Sequence, residues 1–191
     1  MCAGADGLAH LFLDQPPSVE FIDAAAHGGV FVIPTLTSLA ARTGHRRGRK
    51  VEADLHLGPR LDVQQRFFLD MEFPAGPAAQ ADLDNAIETV PRLHEAGVTL
   101  LAGTDASSPG TAHGASLHDE LELLVHAGLT PAAALAAATS APAAAFDAVD
   151  RGRIAPGLSA DLVLIHGDPE LDITSTRAIT KVWRSGQQAT R

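Results

Sequence analysis

The apolar run Thr99-Leu100-Leu101-Ala102-Gly103-Thr104 delivers Asp105 into a loop, Ala106-Ser107-Ser108-Pro109-Gly110-Thr111-Ala112-His113. A carboxylate at the carboxyl end of a strand stands where α/β enzymes mount catalytic and metal-binding groups. It can hold a divalent metal, or take a proton from water and pass it to a leaving group. The plainer alternative is a turn or helix-capping aspartate. His10 closes a short apolar segment, Gly7-Leu8-Ala9, and so mirrors the placement of Asp105. Imidazole is the commonest transition-metal ligand, although a lone histidine among apolar neighbours is more often a hydrogen-bonded structural residue. His113, in the loop after Asp105, suits a substrate-contacting or acid–base role. His118, in the first turn of the next helix, suits a surface or capping role.

Spacing alone does not assemble these groups into a site. The chain has no H-x-H pair, no H-E-x-x-H and no second strand-end carboxylate. Ser107 and Ser108 do not lie in a G-x-S-x-G elbow, and Gly103-Thr104-Asp105 matches neither a dinucleotide fingerprint nor a P-loop. Cys2, the single cysteine and close to the terminus, is a poor nucleophile and excludes both a disulfide framework and a metal–thiolate cluster.

The elements that must carry these groups alternate. Pro17–Ala26 reads as a helix with proline at its start, stopped by Gly28-Gly29, and Val30–Ile33 is a β-branched run suited to a buried parallel strand. Residues 37–78 lack a clear period and read as a long loop. Asn85–Ala96 returns to helical spacing, with Pro91 expected to kink or break it. Val98–Ala102 is the next buried strand. Ser116 and Asp119 match a capping box that opens a helix with Leu117, Leu121, Leu124 and Val125 on its buried stripe, ending near Gly128. Thr130-Pro131 starts a further helix, and Ser140-Ala141-Pro142 divides the alanine-rich stretch into two short packed helices rather than a membrane span. Beyond Val149 the pattern turns to strands at Asp161–His166 and Ile179–Trp183, giving a small appended β module.

Composition is that of a soluble globular chain, with 46% hydrophobic and 19% charged residues. A formal net charge of −9 argues against binding nucleic acid or an anionic membrane. Five of the 14 basic side chains cluster in Arg42–Lys50, which reads as a solvated loop or an anion contact. No signal peptide is apparent and the lone cysteine suits a reducing compartment, so a cytoplasmic location is expected.

Five segments together resemble the imidazolonepropionase-like and prolidase-like branch of the amidohydrolase superfamily. They are DGLAH at 6–10, GVFVIPTL at 29–36, LLAGTDA at 100–106 with TAHGASLHDELELLVHAGLTP at 111–131, ATS at 138–140, and RGRIAPGLSADLVLIHGDP at 151–169. The resemblance implies an α/β fold: the carboxyl-terminal part of a (β/α)8 TIM-type barrel, strands six to eight, in residues 1–149. Residues 150–191 would be a β segment of the composite sandwich domain. It implies a metal-dependent hydrolase acting on carbon–nitrogen bonds of a small-molecule substrate, with a divalent metal, zinc, as cofactor. His10 would be the metal-ligand histidine of the sixth strand. Asp105 would end the eighth strand, binding metal and shuttling the proton, and His113 would face the substrate.

The same resemblance requires groups that are missing from these residues. None of the nine histidines stands two residues from another, and the only lysines are Lys50 and Lys181. A complete barrel needs about 250 residues. The expectation is a truncated or split form with an incomplete metal site, inactive or nearly so alone. It would be completed by a complementary amino-terminal half, or would self-associate through exposed barrel edges. The alternative is a non-catalytic remnant or interaction module of the same fold.

Overall fold

Parallel strand pairing organises the amino-terminal half of the chain. In the computed structural model, which describes residues 4–74 and 82–189, β1 (Gly7–Ala9) pairs with β2 (Phe31–Ile33) in parallel, Leu8 opposite Val32. Val32 also bridges to Leu100 in parallel. Its N–H donates to the Thr99 carbonyl and its carbonyl accepts from Leu101, each at 2.9 Å. The expected strand Val98–Ala102 is thereby reduced to one bridge, because the Ala102 N–H turns away to the Ala137 carbonyl at 2.8 Å. Cys2 and residues 75–78 of the expected loop lie outside the described residues.

Between β1 and β2 runs α1 (Val19–Gly28). Ser18 caps it by accepting the Phe21 N–H at 3.1 Å, so Pro17 precedes the cap instead of occupying the first turn. Gly29 ends it in the left-handed conformation, φ 61°.

The segment expected to be a loop is largely helical. It holds α2 (Leu36–Arg42), α3 (Arg47–Glu52), a 3-10 turn at Gly58–Arg60 and α4 (Val63–Asp70). Helices this short are unstable alone and show little period of their own, so tertiary contacts decide them. Gly48 illustrates the closeness of that packing. A Cβ there would lie 2.3 Å from the Leu69 carbonyl oxygen, so α3 is pressed against the end of α4. Only α4 carries a local signal, a reciprocal capping box between Asp62 and Gln65.

Helix α5 (Leu83–Glu95) runs through Pro91 without a break. Proline removes one intrahelical donor, but Ala86, Val90 and Leu93 are completely buried and hold the helix across it. Helix α6 (Ala115–His126) begins at Gly114 with no side-chain cap. The expected capping box does not form: Ser116 Oγ accepts from the Ala112 N–H and Asp119 is taken by Arg47. At its other end Gly128, φ 110°, terminates the helix just past Ala127: its N–H donates to the Val125 carbonyl at 3.0 Å and that of Leu129 to Leu124 at 3.1 Å. Helices α7 (Pro131–Ala138) and α8 (Ser140–Ala145) follow as the sequence predicts, with Thr130 capping Ala133 at 3.1 Å. Core residues from α1, α2, α5, α6 and α7 close over β2 in one apolar cluster centred on Val32, Leu36, Leu93 and Leu124. Among the described residues no helix is long and apolar enough to cross a membrane.

The carboxyl-terminal part is an antiparallel sheet of β3 (Leu162–Ile165), β4 (Ile179–Arg184) and β5 (Gln187–Gln188), in that order. A 3-10 helix, Ile173–Arg177, seats this module on α6. Arg177, 8% exposed, ion-pairs with Asp54 at 3.1 Å and with Glu122. Arg47 grips the buried Asp119 through two bonds of 2.6 and 2.7 Å, and Lys50 pairs with Glu122. The basic stretch therefore joins the end of α2 to α3, with Arg47 and Lys50 paired to acidic partners on α6. Asp54 and Glu122 are both held below the usual carboxylate range. Burial opposes this, but the Leu57 and His56 amides and Arg177 outweigh it at Asp54, and Lys50, Arg177 and Arg47 outweigh it at Glu122. Replacing Arg177 with Met leaves these carboxylates without their shared cation. Unfolding in urea should show a loss of about 3 kcal/mol, the usual cost of breaking a largely buried pair from one side.

Candidate functional site

All three parallel segments end toward the same edge of the sheet, and each is followed by a residue of unusual backbone. His10 follows β1 with φ 69°, Thr35 lies just beyond β2 with φ 53°, and Asp105 follows the Leu100 segment with φ 55°. Left-handed backbone at a non-glycine residue is uncommon, and at the β-branched Thr35 it is a true outlier. Such strain costs on the order of 1–3 kcal/mol per residue and persists where surrounding structure enforces it, often at functional sites. Here it turns each chain sharply at the strand end, leaving His10 and Asp105 exposed at the rim.

The first turn of α2 connects the two. His10 Nδ1 lies 2.8 Å from Thr35 Oγ1, while the Thr35 hydroxyl donates to the Pro34 carbonyl at 2.7 Å. That hydroxyl has one hydrogen, already committed, so toward His10 it accepts. That arrangement assigns the His10 proton to Nδ1 and leaves the lone pair on Nε2, the tautomer being inferred from the hydrogen-bond pattern. One turn on, Ser38 Oγ donates to Asp105 Oδ2 at 3.1 Å, and Ser38 is completely buried. In the loop beyond Asp105, the Ser108 N–H donates to Thr111 Oγ1 at 3.1 Å, and the Thr111 hydroxyl returns a bond to the Ser108 carbonyl at 3.0 Å.

Thr35 itself makes no capping bond to α2. The helix start is held instead by Glu120 of α6. Its carboxylate accepts the Leu36 N–H at 2.9 Å, the Thr37 N–H at 2.7 Å and the Thr37 hydroxyl at 2.8 Å. Glu120 has no solvent exposure. Burial pushes its carboxyl up to about 7, against the pull of the three donors, and neighbouring Asp119 adds to the rise.

His10 and Asp105 make no direct bond to each other; the structure joins them through Thr35 and Ser38. Among the described residues no group of three or more His, Cys, Asp or Glu is placed to hold a metal ion. The two donors thus suit a metal as members of a larger set: one imidazole with Nε2 open, and one carboxylate with its second oxygen free to bind. His113 is exposed in the loop before α6, and its carbonyl accepts from Gln65 Nε2 at 2.9 Å. Among the described residues no hydrogen bond joins its ring to His10 or Asp105. His118 is not a capping residue: Nδ1 lies 3.0 Å from Thr176 Oγ1, and burial with nearby Arg177 lowers its pKa to about 4.

Sequence inspection missed Thr35, Ser38 and Glu120. A signal existed only for Glu120, a carboxylate sitting between Leu117 and Leu124 on the apolar stripe of α6.

Because the folded chain holds the Glu120 proton more tightly than the unfolded chain, its stabilising share is complete below about 4.5 and disappears as pH rises through about 7. The melting temperature should fall between pH 5.5 and 8.5, and Glu120→Gln should flatten that fall. The same variant should lose about 1–3 kcal/mol at pH 5.5, since its amide presents a donor to a backbone donor.

The model described as "Amidohydrolase family" matches residues 3–190. An imidazolonepropionase of Streptomyces griseus subsp. griseus is 38% identical over 101 residues, covering 51% of this chain and 26% of that protein. One from Deinococcus deserti is 37% identical over 99 residues, covering 50% and 25%. This chain thus spans about a quarter of those curated relatives. A crystal structure of a Xaa-Pro dipeptidase with bound methionine superposes with a TM-score of 0.72 at 22% identity, covering 98% of this chain and 40% of that one. Phenylurea hydrolase B gives 0.64 at 23% identity, covering 97% and 39%. At these identities the structural likeness speaks to the fold.

Proposed function

The chain belongs to the amidohydrolase family, and from that premise we propose that it is part of a metal-dependent hydrolase acting on carbon–nitrogen bonds of small amide-type substrates. Residues 1–149 form the strand-six-to-eight portion of a (β/α)8 barrel, and residues 150–191 a segment of its sandwich domain. One observation carries the reading: left-handed backbone at His10, Thr35 and Asp105, all at the carboxyl edge of the parallel segments. The relatives' names point the same way, toward hydrolysis of a cyclic carbon–nitrogen bond or an Xaa-Pro bond.

His10, through Nε2, and Asp105 hold the metal, zinc, with further ligands from outside these residues, supplied by a longer polypeptide or a complementary chain. When bound, the metal acidifies water and polarises the scissile carbonyl. Asp105 is exposed and keeps one carboxylate oxygen clear of Ser38, so it can take a proton from the attacking water and return it to the departing nitrogen. Thr35 keeps the imidazole of His10 from rotating, because the bond to Nδ1 fixes the ring on its axis. His113, exposed in the loop that follows Asp105, is the group assigned to substrate contact.

The test is expression from the native locus with the DNA upstream of the Met1 codon included, followed by zinc reconstitution and assay on cyclic amides and Xaa-Pro dipeptides. Turnover should appear, and Asp105→Asn and His10→Ala should each reduce it at least about 100-fold with the fold intact. Turnover indifferent to both substitutions, or no turnover from any product of the locus, contradicts the proposal and favours a non-catalytic module. The 191-residue chain alone should retain far less than one zinc per chain, since two donors do not replace a four-ligand site. Stoichiometric zinc lost in His10→Ala would contradict that.

A further inference from the structure

Two side chains touch the candidate ligands, and both belong to the start of one short helix. Thr35 is 3% exposed and Ser38 completely buried. Both are ordered by the helix that bears them, and α2 cannot supply that order alone, being only seven residues long without a side-chain cap. Glu120 reaches across from α6 and satisfies two of the first-turn N–H groups, those of Leu36 and Thr37, together with the Thr37 hydroxyl. Its other side is closed by packing of α2 on α6 and α5.

We propose that the first turn of α2 positions the site: Thr35 fixes the proton of His10 on Nδ1, Ser38 orients Asp105, and Glu120 anchors the turn from α6. The assignment rests on the reading of His10 and Asp105 as metal ligands and adds what sets their geometry. Free histidine in water favours the tautomer protonated on Nε2, which would offer Nδ1 to a metal and point the ring the wrong way. The committed hydroxyl of Thr35 reverses that preference, because it can only accept from His10. Ser38 performs a second task of the same kind. Its donated bond engages Oδ2 of Asp105 and so fixes the rotation of the carboxylate at the rim. Thr35, Ser38 and Glu120 are positioning residues: each acts through another group.

Histidine tautomers are read directly by long-range 1H–15N correlation spectra of the 15N-histidine-labelled 191-residue chain, recorded where the ring is neutral. His10 is assigned by the signals missing in His10→Gln. Wild-type His10 should show the Nδ1–H pattern. Thr35→Val should shift it to predominantly Nε2–H, Thr35→Ser should restore Nδ1–H, and Glu120→Gln should give a mixture of the two. An Nε2–H ring in the wild type, which needs no variant to fold, overturns the proposal. So does an unchanged Nδ1–H pattern in folded Thr35→Val. Zinc titration into the 15N-histidine-labelled protein expressed from the native locus separates the two levels. His10 Nε2 should shift in the wild type, and Ser38→Ala should raise the zinc midpoint about tenfold while leaving the tautomer unchanged. A zinc response with the same midpoint in Ser38→Ala overturns the role given to Ser38. If zinc leaves His10 Nε2 unmoved while the tautomer still follows Thr35, the metal-hydrolase reading fails and the positioning role of Thr35 stands.

Discussion

One carboxylate with no solvent exposure holds together the edge at which the parallel segments end. Glu120 sits in the middle of α6, and its two oxygens accept from the first turn of α2. Without that contact a seven-residue helix has no reason to begin at Leu36. With it, Thr35 is driven into a left-handed backbone that a β-branched residue otherwise avoids, and Ser38 is carried beneath Asp105. A buried carboxylate is costly unless fully bonded, and three donors supply that requirement here. The cost is repaid in definition: one helix turn contacts two side chains, His10 and Asp105, that stand 95 positions apart in the chain.

A second cluster of charge does comparable work at the opposite side of α6. Arg177 of the 3-10 helix, Arg47 and Lys50 of α3, and the acids Asp54, Asp119 and Glu122 bind the β module and the inserted helices to the same element. Helix α6 is therefore buried almost around its circumference, with polar contacts on one flank leading to the rim and on the other to the sheet. Neither flank could be made by leucine alone. The rim needs a bonded backbone, and the module needs a fixed register on the helix.

Much of the scaffold was legible in the residues. The β-branched run at Val30–Ile33, the capping hydroxyls of Ser18 and Thr130, the division near Ser140 and the late strands each follow from local chemistry that tertiary context leaves alone. The strand-end placement of His10 and Asp105 was legible because each follows an apolar run, and both lie at the same edge of the parallel segments. What failed to show is non-local. Helices α2 and α3 have no period because Glu120 and Asp119, more than 70 positions away, supply their stability. Ser116 and Asp119 have the spacing of a capping box, yet Arg47 outcompetes the backbone for Asp119 with two charged bonds. Thr35 could not have been named, since nothing local distinguishes a strained threonine from an extended one.

The chain belongs to the amidohydrolase family, and the curated relatives extend well past the quarter of their length matched here. The central claim is more local and is open to direct measurement by native-state hydrogen exchange of the Leu36 and Thr37 amides. First-turn amides of a helix have no intrahelical acceptor and ordinarily exchange fast. Bound to Glu120, they should be protected nearly as well as the core amides of α5, and Glu120→Ala should release both while α5 stays protected. Rapid exchange at Leu36 and Thr37 in the unaltered chain would contradict the account.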